Sequence, residues 1–591
     1  MALSLAAEGD VTRDTSLAIE FRRTTEERRN LDWYLEDYLW RADVLPPAHA
    51  REMADLIVSR GIELFESTFE RDAATRELWR RISDDIPDCR IEIEVARGVV
   101  SLPWEIMRQR SNEEPLSVRA RAFVRTEPSV GSFATINPGP VLRLLWIVAR
   151  PEDGGGVTLR NVLSDVLVAA HPYGPSIEVA VLRPPTLLEL ERKLRTAQEA
   201  GHPYQVIHFD GHGVHIPGRS QDEGRSERGR GYLVFEDELQ SSRLVTGDEL
   251  GELLRRSGVP IVVLNACQSA KVAGNSSIGS NADTNQAARS VVQELFDHGL
   301  PGVIGMETSV YARTASEFSS ILYSALFRGE AFGSAATLAR RALYRNRDRW
   351  DELGAYPIDD WLVPIIYEAG SLSALDSNRS PLGDSRARHR VPRLGLRGRD
   401  DVFLRLDRSF DRDSAVLLHG QVGIGKTSTA VEFSSWYAST GGLGADQLVL
   451  ISRFQPLSSA GSVVQDAADG LSVSLDRQID PEPSGDPVLR WRAIRSFAED
   501  RTILWIWEDI DAMGRGQEKP LTRSLPFRGI NSLFAAIHSD PRTKVLLTSR
   551  SRAHPWLPDS VPRIELRPLR KEQMERLAQE FVYQEFDAPI N

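Results

Sequence analysis

Short apolar runs separated by amphipathic stretches dominate the middle of the chain. VLRLLWIVA at Val141–Ala149, IEVAVL at Ile177–Leu182, VIHF at Val206–Phe209, YLVFED at Tyr232–Asp237, IVVL at Ile261–Leu264 and GVIGM at Gly302–Met306 read as strands. Helical spacing fills residues 160–170, 186–200, 248–256 and 286–298 between them. This βα series predicts an α/β sheet with helices on both faces. Upstream, Leu31, Tyr34, Leu35, Tyr38 and Leu39 recur at helical spacing. A second helical run follows Pro46–Ala48, and Trp79 and Ile82 carry helical content towards Pro87. Residues 1–15 read as a disordered start, and IEIEV after Cys89 reads as an edge or hairpin strand. A polar, Pro- and Arg-bearing stretch over 370–393 separates this series from another, which begins with AVLLH at Ala415–His419. The expected division is a helical segment 1–85, a domain 86–370, a linker 371–394 and a domain 395–591.

Composition narrows the class. The 591 residues are 41% hydrophobic and 26% charged, as in soluble globular protein, and the length suggests about three folding units. A net charge of −12 implies no general affinity for nucleic acid or anionic membranes. No apolar run approaches the roughly 20 residues of a membrane span, and MALSLAAEGDVTRD lacks the basic and apolar regions of a signal peptide. Two cysteines cannot build a disulfide framework, so a cytoplasmic protein is expected.

The second cysteine is the informative one. PIVVLNACQS places Cys267 just after an apolar run, where parallel strands deliver functional residues to a crevice. YQVIHFDGHGVH ends its own run in a Gly-His-Gly turn that presents His212, 55 residues upstream. That separation accommodates a strand and a helical crossover, so the two strand ends can be sheet neighbours. A thiol needs an adjacent base or imidazolium to become a nucleophile, and this pairing supplies one. His208 alternates to the face opposite Phe209 and suits a core or supporting role; His215, past the turn, is a weaker alternative base. Cys89 has no motif around it.

The order of SLPWEIM (Ser101–Met107), HFDGHG (His208–Gly213), LNACQSA (Leu264–Ala270), GLPGVIGME (Gly299–Glu307), the helical Phe318–Leu343 stretch and DWLVPIIY (Asp360–Tyr367) resembles a CHAT domain, a caspase-like cysteine peptidase module related to separase. The resemblance implies a three-layer α/β/α caspase-like fold over 86–370 and a peptidase dyad of His212 and Cys267 acting on a protein substrate. Gly213 would help form an oxyanion hole, with Asp210 and His208 in support. Asp210 is also a candidate for reading the substrate residue before the cut, as is Asn265, two before Cys267. The polar loops 216–231 and 271–284 are candidate gating loops, and Arg219, Arg225, Arg228 and Arg230 are candidate self-cleavage sites.

GQVGIGKT at Gly420–Thr427 fits G-x-x-x-x-G-K-[ST] between a strand and a helix. Gly420, Gly423 and Gly425 let backbone N–H groups converge on phosphate, Lys426 reaches the β/γ-phosphates, and the Thr427 hydroxyl is a Mg²⁺ ligand, with Ser428 beside it. ILWIWEDID at Ile503–Asp511 is an apolar strand ending in acids, leaving Glu508 or Asp509 to hold Mg²⁺. KVLLTSR ends on Arg550. With GLRGRDD at Gly395–Asp401 these resemble a P-loop NTPase of the NB-ARC/NACHT-like STAND class, the switches of NLR-type receptors. That implies an α/β/α domain, ATP/ADP and Mg²⁺ as cofactors, a sensor-like Arg550 and a defence or signalling role. It leaves self-oligomerisation on activation open. The family's helical, winged-helix and sensor parts are expected beyond Asn591 or on another chain. The expectation is a cysteine endopeptidase under a nucleotide switch. The alternative is a catalytically silent caspase-fold scaffold for nucleotide-dependent assembly.

Overall fold

The chain divides into two compact units, Met1–Arg386 and Ala387–Asn591. The computed structural model describes residues 2–6, 13–16, 25–38, 47–94, 103–126, 139–153, 162–216, 230–266, 291–308, 311–351, 354–375, 399–444, 446–455, 458–479, 485–512, 526–569 and 574.

In the first unit the strands are β1 (Ala2–Ala6), β2 (Arg13–Ser16), β3 (Arg90–Glu94), β4 (Ala122–Thr126), β5 (Leu142–Val148), β6 (Ile177–Val181), β7 (Val206–Ile216), β8 (Arg230–Glu236), β9 (Ser242–Thr246), β10 (Ile261–Ala266), β11 (Gly302–Met306), β12 (Asp348–Asp351), β13 (Gly354–Pro357) and β14 (Pro364–Glu368). The main path runs β2-β1-β3-β4-β14-β11-β10-β7-β5-β6, with β8 attached to β7, β9 attached to β8, and β12–β13 a separate hairpin. β5, β6, β7, β10 and β11 are parallel, as the βα series requires; β14 runs antiparallel to β11.

Helices cover both faces. Leu187, Leu190 and Leu194 of helix Leu187–Glu199, Leu250 and Leu254 of helix Gly247–Arg256, and the helical residues 291–297 pack on Leu145, Ile147, Ile207, Phe209, Val262 and Leu264. Successive strand residues face opposite ways. On the other face, accordingly, Trp146 and His208 meet Tyr323 of helix Ala312–Phe327.

Three expectations fail here for tertiary reasons. Residues 2–6 and 13–16 are strands, not a disordered start, because β1 finds a partner in β3. β3 is neither an edge nor a hairpin strand: it lies between β1 and a parallel β4, so its alternation reflects unequal cover of its two faces. The Gly-His-Gly stretch is no turn. β7 runs on to Ile216, and β8, which lies outside the parallel series, pairs with residues 212–216 in antiparallel fashion.

Buried ion pairs stitch the first unit together. Arg125 donates from Nη2 to Glu105 Oε2 at 2.6 Å and from Nε to Oε1 at 3.1 Å, with both residues buried. Arg349 donates to both Asp360 oxygens at 2.7 Å, and Arg90 pairs with Glu368. Leu372, Ala374 and Leu375 are buried in this unit. Among the described residues no helix is long and apolar enough to cross a membrane.

The second unit is a parallel sheet of β15 (Ala415–His419), β16 (Gln447–Arg453), β17 (Thr502–Glu508), β18 (Thr543–Ser549) and β19 (Arg563–Glu565), in the order β16-β17-β18-β15-β19. One face packs on helices Ala460–Leu475, Pro487–Phe497 and Pro526–His538, the other on Asp400–Arg412 and Lys426–Ser439.

Candidate functional site

In the first unit the site is built at the C-terminal ends of β5 and β10 and the middle of β7. β10 and β7 are in parallel register from Ile261↔Val206 to Ala266↔Gly211. The residue before Cys267 is therefore paired with the residue before His212. Cys267 itself lies outside the described residues, as do residues 217–229 and 267–290, which hold most of both candidate loops with Arg219, Arg225 and Arg228. Arg230 begins β8 and His215 pairs with Gly231.

His212 is 3% exposed, so it is a buried strand residue and not one displayed on a solvated turn. His208 and Asp210 precede it at alternate positions. His208 is fully buried, stacks on Trp146 with ring centroids 3.5 Å apart, and has Nδ1 2.9 Å from the Tyr323 hydroxyl. Asp210 is held by Arg150, whose Nη2 donates to Oδ1 at 2.8 Å. Asn265 is fully buried opposite Asp210. Gly213 pairs with Leu233 and, with Leu264, Ala266, Val292 and Met306, lines a small apolar cavity on the face opposite His212. Sequence reading missed Arg150 and Glu236; a lone Arg after an apolar run carries no signal of its partner. Cys89 is buried, and that burial pushes its thiol up, so it is poorly placed to react.

In the second unit β15 delivers Gly420–Gly425 to the N-terminus of helix Lys426–Ser439. Gly423 and Gly425 hold φ of 79° and 95°, which side-chain-bearing residues rarely adopt, and space is open where a Cβ would stand. Gly420 lies so close to the Leu566 carbonyl that a Cβ would fall 2.6 Å from its oxygen. Lys426 Nζ donates to the carbonyls of Gly420 (3.0 Å) and Gln421 (2.8 Å), folded over its own loop. Burial lowers its amine, and Asp509 and Asp511 oppose that shift. Thr427 is half-buried and Ser428 exposed on the first turn of this helix.

The two adjacent acids part company. Glu508 is buried and accepts from Arg453 Nε at 3.2 Å; burial raises its carboxyl against that partner. Asp509 adopts φ of 54° and donates its N–H to Thr548 Oγ1 at 3.1 Å. Asp511 accepts from the Arg550 N–H at 3.1 Å and from Ser549 Oγ at 3.3 Å; Ser549 Oγ lies 2.8 Å from His554 Nε2. The lysine, the acids and Arg550 thus gather at strand ends one side of β15. Asp511 and His554 were not singled out from sequence, although the spacing in EDID carries the first.

A mixed, mainly parallel sheet covered on both faces, with His212 inside β7 one residue past its last pairing with β10, defines a caspase-like α/β arrangement. Residues 76–367 match the CHAT domain family model, so that segment carries a CHAT domain. No curated protein matches the chain. Among solved structures, a Walker-type ATPase of Pyrococcus abyssi aligns at 11% identity and TM-score 0.25, over 34% of this chain and 63% of that one. The chain thus spans under two thirds of that structure's length. Drosophila ORC bound to DNA aligns at 15% identity and TM-score 0.22, over 33% of this chain and 47% of that one. A Geobacter sulfurreducens protein aligns at 15% and 0.22, over 41% and 95%.

Proposed function

We propose that the first unit is a cysteine endopeptidase and that nucleotide binding at the second unit's glycine loop controls it. The observation that carries the first half is the Ala266↔Gly211 register. Continued by one residue, that register would set the Cys267 thiol beside the His212 imidazole on one face. His212 takes the thiol proton as sulfur attacks a peptide carbonyl, and returns it to the leaving amine. Water then hydrolyses the thioester, with His212 as base. A thiol nucleophile suits a reducing compartment such as the cytoplasm.

The second half rests on the loop's open positive-φ glycines ahead of a helix N-terminus, a fit for phosphate. ATP or ADP would be held by Gly420, Gly423, Gly425, Lys426, Thr427 and Ser428. Of the two acids, Asp509 suits Mg²⁺ better than Glu508, whose carboxylate Arg453 already holds. A bound nucleotide supplies negative charge there, and Lys426 would exchange its two loop carbonyls for it. Arg550, tied to Asp511, would sense the change.

The burial of His212 favours a second reading, a scaffold whose dyad never meets substrate. Iodoacetamide alkylation followed by mass spectrometry separates the two, with buried Cys89 as internal control. A peptidase dyad gives Cys267 a pH–rate midpoint below the roughly 8.5 of a free thiol, and His212→Ala restores the ordinary value. Peptide mapping of a lysate treated with protein, ATP and Mg²⁺ should show new termini that Cys267→Ala lacks. An ordinary midpoint in both proteins, with no new termini, refutes the peptidase.

A further inference from the structure

Strand β7 changes partners partway along. Up to Asp210 it lies between β5 and β10; from His212 it pairs with β8. Where strands part, the backbone ladder no longer fixes their spacing, and another group must do so. Arg150, 7% exposed, stands at this junction. Its Nη1 donates to the carbonyls of Ala149 (2.8 Å) and Asp210 (2.6 Å), and its Nη2 to Asp210 Oδ1 (2.8 Å). Its backbone N–H donates to Glu236 Oε1 at 2.8 Å, and Glu236 is the buried last residue of β8. The Ala149 N–H adds a bond to the Asp210 carbonyl at 3.0 Å. One residue thus ties the ends of β5 and β8 to the middle of β7, with its guanidinium on the backbone two residues before His212.

We propose that Arg150 is a positioning residue that sets His212 against Cys267, an inference resting on the peptidase reading. A planar guanidinium reaches these three acceptors from two nitrogens held in a fixed fork, whereas an ammonium must offer its three N–H donors from a single point. The same contacts commit the Asp210 carboxylate to the fold. Asp210 therefore does not select a basic residue before the cut, and exchanging it for Asn should weaken turnover without relaxing a preference for Arg or Lys.

The test compares the full chain with Arg150→Gln, Arg150→Lys and Asp210→Asn. Its readouts are the pH–rate profile of Cys267 alkylation, the Cys89 control and the unfolding midpoint. Loss of alignment should raise the Cys267 midpoint by about one unit, slowing alkylation about tenfold at pH values below both midpoints. Cys89 should not change. Arg150→Lys keeps the cation and carries the test where Gln weakens the fold; it should fall between wild type and Gln. Folded Arg150 variants with a wild-type Cys267 profile would overturn the clamp alone. A His212→Ala profile identical to wild type would overturn the peptidase reading as well.

Discussion

Gly211→Ala probes the junction from the opposite side of β7. A Cβ on Gly211 would stand 2.5 Å from both Cε1 and Cζ of Phe209 and 3.5 Å from the Ala149 methyl. Ordinary carbon contacts begin near 3.5 Å, so Phe209 or the strand must yield by about 1 Å. Phe209 cannot swing away freely. It is fully buried, its ring centroid lies 5.0 Å from that of Phe235, and Ile147, Ala149 and Leu233 share its cluster. Overpacking of this kind costs about 1–3 kcal/mol. The strain falls one residue before His212, and a displacement of about 1 Å in a catalytic group can cost roughly a hundredfold in rate. Urea denaturation should therefore show a lower midpoint with an unchanged slope, and Cys267 alkylation should lose its dependence on His212. Phe209→Leu in the same chain removes the ring atoms involved and should recover part of both losses. A Gly211→Ala protein with wild-type stability and alkylation, or a double variant worse than either single one, would refute the reasoning.

Three further outcomes follow from named contacts. Glu105→Gln takes the counter-charge from Arg125 and from Arg340, which is fully buried and whose guanidinium burial pushes down to about 10 against the pull of Glu105. Breaking such a buried pair costs about 3–5 kcal/mol, read by denaturant unfolding. Lys426→Ala removes a charge-assisted donor and should weaken binding of a fluorescent ATP analogue about 10–100-fold while circular dichroism stays the same. Burial raises the Glu432 carboxyl, so its contribution to stability is fully present below the ordinary glutamate value and is lost as pH rises through the raised one. Glu432→Gln should accordingly be the more stable protein at pH 7, with the difference closing by pH 4.

The apolar runs by themselves determined the strands Leu142–Val148, Ile261–Ala266, Ala415–His419 and Thr502–Glu508, because a strand buried on both faces must be nearly continuous in hydrophobic residues. The glycine loop was equally legible, since open positive-φ positions and a close backbone approach require glycine wherever the chain goes next. The motifs SLPWEIM and DWLVPIIY could be recognised but not explained in sequence. Their chemistry is Glu105 buried against Arg125 and Asp360 buried against Arg349, and the first of these partners is 20 residues away. Only the tertiary structure decided that Gly211-His212-Gly213 is strand and not turn. Local preference for a Gly-His-Gly bend yields when β8 returns to satisfy the backbone of residues 212–216. It also decided that Glu508 faces Arg453 while Asp511 meets Arg550, although only two residues separate the two acids. Strand order settles that matter: β18 lies between β17 and β15, and order in a sheet is a property of long-range packing that no local pattern encodes.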